Sequence, residues 1–83
     1  MTNNVVVEHV TNVVCNIISE MKLPLRCSPQ VSKDQSKIYF TVGYIDKRPN
    51  WYALKQKLEY ADVVVLKYQS RIWSVITVEV PPL

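Results

Sequence analysis

Few residues in this 83-residue chain are of types that do chemistry: one histidine, His9, two cysteines, Cys15 and Cys27, and seven acids, Glu8, Glu20, Asp34, Asp46, Glu59, Asp62 and Glu79. An imidazole beside a thiol can generate a thiolate nucleophile. His9 and Cys15 stand six positions apart, which on a helix turns them about 120° away from each other. That is poor geometry for a nucleophile and its base. Two cysteines and one histidine also fall short of a four-ligand zinc set unless carboxylates join them. The acids are scattered singly, so no general acid/base pair is written into the sequence. The sole glycine, Gly43, lies within an apolar run, which leaves no phosphate-cradling loop. The expectation is a non-enzymatic chain without cofactor, metal or small-molecule substrate.

Composition narrows the class further. Ten basic residues against seven acids give a formal charge of +3, and 48% of residues are hydrophobic, an ordinary globular balance. Residues 1–83 are expected to form a single small domain with a radius of gyration of about 12 Å. The basic residues are dispersed; Lys47-Arg48 is their densest cluster, unlike the concentrated stripe of most nucleic-acid binders. No apolar run approaches the ~20 residues of a membrane span, and Met-Thr-Asn-Asn does not open a secretory signal. Two cysteines fit free thiols in a reducing, cytoplasmic compartment.

The positioning elements follow from hydrophobic spacing. Val6, Val10, Val13, Val14, Ile17, Ile18 and Met21 recur with the helical period. The pattern predicts an amphipathic helix over Val5–Met21, capped by Asn3 or Asn4 and stopped before Pro24, with Glu8, Asn12, Cys15, Asn16 and Ser19 facing water. Leu23–Val31 reads as a short irregular strand at a sheet edge, because Pro29 cannot donate to a ladder. A polar turn, Ser32–Ser36, leads into Lys37–Asp46, a run apolar on both faces and therefore central to a sheet. A second helix is expected over Trp51–Ala61, with Asn50 as its N-cap, Trp51, Leu54, Leu58 and Ala61 inward, and Tyr52, Gln56 and Tyr60 outward. Val63–Tyr68 and Arg71–Val80 are β-branched runs that form a hairpin, turning at Gln69-Ser70 or, since that pair lacks the Gly or Asn of favoured two-residue turns, through a loop that includes Tyr68 or Arg71.

The order is αββαββ. The fold class is α+β, a four-stranded, mainly antiparallel sheet with two helices on one face. Alternation then assigns Ile38, Phe40, Val42, Val64, Leu66, Ile76, Val78 and Val80 to the helix side. Tyr39, Thr41, Gly43, Ile45, Val63, Val65, Lys67, Trp73, Val75 and Thr77 fall on the open side, with Arg26 and Ser28 beside them. An open face that is half apolar marks a contact site.

Two functions use such a face. The first is a protein-interaction domain that binds a larger protein or a second copy of itself through Tyr39, Ile45, Val65, Trp73 and Val75, with Tyr52 and Tyr60 as a second surface. Chains of this size and class are common among phage and viral accessory proteins, which modulate larger proteins. The alternative is single-stranded nucleic acid, stacked on Tyr39 and Trp73 with Arg26, Lys67 and Arg71 near the phosphates.

Overall fold

The computed structural model describes residues 4–43, 48–70 and 72–81, without the side chains of Arg48 and Pro49. Helix α1 spans Asn4–Glu20, strands β1 and β2 span Gln30–Val31 and Lys37–Val42, helix α2 spans Arg48–Tyr60, and strands β3 and β4 span Val65–Ser70 and Ser74–Glu79. The strands form one antiparallel sheet in the order β1-β2-β4-β3. The αββαββ order and the α+β class are as the sequence predicts.

The stripe of α1 follows its spacing: Val10, Val14, Ile17 and Ile18 are buried, with Val6, Val7, Val13 and Met21 packed against them. Its end is specified by the backbone. Leu23 N–H donates to Ile18 O at 3.1 Å and Lys22 N–H to Ser19 O at 2.9 Å, while Lys22 takes a left-handed φ of 59°. This is a Schellman stop, and it satisfies carbonyls that the helix leaves unpaired. Helix α2 ends the same way, through Val63 N–H to Leu58 O, Asp62 N–H to Glu59 O, and Asp62 at φ 61°. In both motifs the residue after the left-handed one, Leu23 or Val63, returns to the core.

Helix α2 starts earlier than expected. It takes in Arg48, Pro49 and Asn50, so Asn50 is inside the helix and is not its cap. Proline is accommodated there because first-turn amides have no partner within the helix. Leu54 and Leu58 are buried and Trp51 packs on the core, but Ala61 is exposed, having passed the last turn. The Trp51 ring stacks on Tyr68 of β3, with centroids 3.9 Å apart and planes 11° from parallel, which fixes the start of α2 over the sheet.

Strand β2 is interior, as its two-sided apolarity requires, and ends at Val42. Ile38, Phe40 and Val42 are wholly buried opposite Val78, Ile76 and Ser74 of β4, and the first five join the helix stripes in one cluster, so both helices share one face of the sheet. The edge position of the Pro29 segment is also as expected. It reduces to Gln30–Val31 plus an isolated bridge between Leu25 and Val42. Gly43 serves a close approach here. Its N–H donates to Pro24 O at 2.8 Å, and a Cβ on it would lie 2.9 Å from Pro24 Cγ.

The alternation assigned to β3 is overturned. Val65 pairs with Val78, but the next pair is Lys67 with Thr77, so Leu66 is an extra residue forming a β-bulge. The insertion reverses the phase of everything before it. Val63 is buried and Val65 packs on the core, whereas Val64 is 51% exposed and Leu66 46% exposed. After the bulge Tyr68 faces inward and Lys67 and Gln69 face out. The hairpin turn is also displaced: Ser70 pairs with Ser74, so Gln69-Ser70 belong to the strand and the chain turns beyond them.

Deleting Leu66 is expected to leave the register of Val65 with Val78 and Lys67 with Thr77 intact and merely regularise the ladder. Circular dichroism and a cooperative unfolding transition should persist. Deleting Val75 from unbulged β4 should abolish them, since the shift moves Ile76 and Val78 to the opposite face.

Candidate functional site

The outer face of the sheet is laid out by the β2–β4 register. Lys37 stands opposite Glu79, Tyr39 opposite Thr77, and Thr41 opposite Val75. Strand β3 extends two of these rows, with Lys67 beside Thr77 and Gln69 beside Val75, and Gln30 of β1 flanks Tyr39. A shallow hollow of about 380 Å³ lies among Lys37, Tyr39, Leu66, Lys67, Gln69, Val75 and Thr77. Tyr39 and Val75 are half-buried, Thr77 is only 7% exposed, and Lys37, Lys67 and Gln69 rise around them. The hollow therefore has an apolar and hydroxylic floor with ammonium groups at its rim.

At one end of this face Trp73, in the loop before β4, is 44% exposed and lies under the guanidinium of Arg26, whose Cζ sits 3.8 Å above the ring centroid. The contact joins the segment before β1, where Arg26 N–H donates to Thr41 O at 2.9 Å, to the loop before β4. A cation over an indole face contributes about 0.5–1 kcal/mol at an exposed site. It orders both groups and covers one face of the indole. Chain order alone would not reveal it.

At the other end is the β1–β2 turn. Asp34 Oδ1 accepts from Ser32 Oγ at 2.8 Å, Ser36 Oγ at 2.8 Å and Ser36 N–H at 3.1 Å. Ser32 Oγ in turn accepts from Lys37 N–H at 3.0 Å. With Gln35 in the left-handed region at φ 60°, these bonds shape a turn that contains no glycine. The hydroxyl donors of Ser32 and Ser36 and the Ser36 amide lower the Asp34 pKa from an ordinary 3.8 to about 2. Asp34, Lys37 and Glu79 are among the residues that line a second shallow hollow at this end.

The site residues named from sequence divide as follows. Tyr39, Val75, Lys67, Trp73 and Arg26 share the outer face. Val65 does not; the bulge turns it to the core, and Leu66 takes its place outside. Ile45 and Arg71 lie outside the described residues. Tyr52 and Tyr60 are exposed on α2, at 58% and 89%, away from the sheet. Lys37, Glu79 and Gln69 belong to the site and were not singled out, although strand alternation with Tyr39, Thr77 and Lys67 points to them.

The groups read first for chemistry stay apart. Cys15 is half-buried against the core instead of facing water, and this burial pushes its thiol pKa up, away from nucleophilic use. The reason is the width of the α1 stripe, whose flank includes Cys15 beside Ile18. His9 is exposed on α1 and Cys27 is exposed before β1. Among the described residues no three His, Cys, Asp or Glu side chains gather as a metal set, and no helix is long and apolar enough to cross a membrane. Comparison with protein-family models, curated protein sequences and solved structures finds no match to this chain.

Because the folded Asp34 pKa is depressed, the turn's carboxylate stabilisation is complete above its ordinary value and is lost as pH falls through about 2. An NMR titration of the Asp34 carboxyl carbon should show its midpoint near pH 2. Replacing both Ser32 and Ser36 by alanine should return that midpoint toward 3.8.

Proposed function

We propose that this chain is a non-enzymatic protein-interaction domain and that the outer sheet face is its docking surface. The observation that carries the reading is the hollow floored by Tyr39, Val75 and Thr77 with Leu66 at its side. The helices fill the opposite face, so these groups form an apolar centre ringed by polar side chains. That is the anatomy of a recognition patch, in which a desolvated centre carries the affinity and the rim carries orientation.

Single-stranded nucleic acid is the alternative occupant, supported by Lys37, Lys67 and Arg26 around Tyr39 and Trp73. It ranks second for two physical reasons. Arg26 already covers one face of Trp73, and Asp34 and Glu79 bring negative charge to one end of the same surface. The two unpaired thiols, one exposed, support a reducing, cytoplasmic setting. The role of a small accessory protein that modulates a larger one, of phage or viral type, belongs to this reading, as does the expectation of no cofactor, no membrane and no small-molecule substrate.

The test is recovery of binding partners on immobilised protein, comparing the native chain with Tyr39→Ser/Val75→Glu on the sheet and Tyr52→Ser/Tyr60→Ser on α2. A protein held by the native chain and the helix variant but released by the sheet variant supports the reading. For that partner, Trp73→Ala should lower affinity by ~2 kcal/mol or more. A partner retained by the sheet variant and lost by the helix variant contradicts the reading, and oligonucleotide recovered in place of protein replaces it with the alternative.

A further inference from the structure

We infer that the bulge in β3 has two resting places, Leu66 and Val64, and that the strand exchanges between them, swapping which of Val65 and Leu66 faces the core. The inference concerns the strand itself and stands whether or not the outer sheet face docks a protein.

Two fixed points bound the segment. On one side Val63 is buried and its N–H donates to Leu58 O at 2.9 Å, so the stop of α2 holds it. On the other, Lys67 pairs with Thr77 and Tyr68 with Ile76, and the Trp51 ring stacks on Tyr68. Between these points Val64, Val65 and Leu66 serve only two places on the ladder, opposite Glu79 and Val78, so one residue is always spare. In the observed register Val65 lies opposite Val78, Val64 O accepts from Glu79 N–H at 2.9 Å, and Leu66 is spare. Sliding the segment by one residue puts Leu66 opposite Val78 and Val65 opposite Glu79. The spare residue is then Val64. The bond from Glu79 N–H passes to Val65 O, and neither fixed point moves.

A strand's register is firmly specified where only one phase turns apolar residues inward. Here Val64, Val65 and Leu66 are all apolar, so either phase fills the inner place. Each register has a cost that the other avoids. The observed one leaves Leu66 46% exposed; the second buries Leu66 but must fit its larger side chain beside Val78, which is already wholly buried. Leu66 also lines both hollows on its side of the sheet, whereas Val64 and Val65 line a third with Lys55 and Glu59 of α2. The slide therefore reshapes all three together. Any group that holds Leu66 from outside favours the observed register.

The test is a double-variant cycle in the full chain, Val65→Asn and Leu66→Asn, read by urea unfolding and by cross-strand NMR contacts to Val78. In a single fixed register the two side chains face opposite sides of the sheet, so their shifts of the urea midpoint add. With two registers they do not. Leu66→Asn should move the midpoint little. Val65→Asn should lower it yet keep a cooperative transition, with Leu66 replacing position 65 opposite Val78. The double variant has asparagine inward in either register and should lose more than the sum of the two single shifts. Additive shifts overturn the inference. So does a Val65→Asn chain that keeps position 65 opposite Val78, or one that fails to fold, because the second register should hold it.

Discussion

The antiparallel ladder between β2 and β4 is the contact on which the rest of this structure depends. Each strand comes from a different αββ half, and neither half alone encloses a dry interior. When Ile38, Phe40 and Val42 meet Val78, Ile76 and Ser74, the sheet gains an inner face that both helix stripes can cover. The remaining elements are held relative to this pair: β1 and β3 extend it at the edges, and the Trp51–Tyr68 stack ties α2 to β3. A chain of this length has few core side chains to spare. Loss of a wholly buried group such as Phe40 would remove much of its stability.

That one-sided core also creates the functional surface. Alternation along β2 and β4 obliges every second residue to face away from the helices, and here those residues are Tyr39, Thr41, Val75 and Thr77. The bulge at Leu66 shapes the face further, because it withdraws Val65 to the core, presents Leu66 and Lys67 side by side, and bends an edge strand that would otherwise offer a regular ladder to other chains. Relative to a simple alternation, the bulge exchanges Val63 and Val65 for Val64 and Leu66 on the outer side. Tyr39, Leu66 and Val75 meet in one hollow, and Trp73 is exposed at the end of the face.

Much of the fold was legible because it depends on local pattern. The spacing of valines and isoleucines in α1, the two-sided apolarity of β2 and the demotion of the Pro29 segment to an edge are each set by neighbouring residues. The bulge was not legible, since Val63-Val64-Val65-Leu66 is apolar throughout and shows no phase until Val78 and Thr77 fix its register. The hairpin turn beyond Ser70 and the Schellman stops at Lys22 and Asp62 lack the glycine that usually marks such positions. Within the site, Tyr39, Val75, Lys67 and Trp73 followed from strand parity. The Arg26–Trp73 stack did not, because it joins side chains far apart in the chain.

The most direct test of the central claim is a lysine footprint. Reductive methylation of the protein, alone and in extract of the cells that make it, is read by mass spectrometry at Lys37 and Lys67 on the sheet and Lys57 on α2. The account predicts slower labelling of Lys37 and Lys67 in the extract with Lys57 unchanged. Protection of Lys57 with Lys37 and Lys67 labelled as fast as in the dilute pure protein would contradict it.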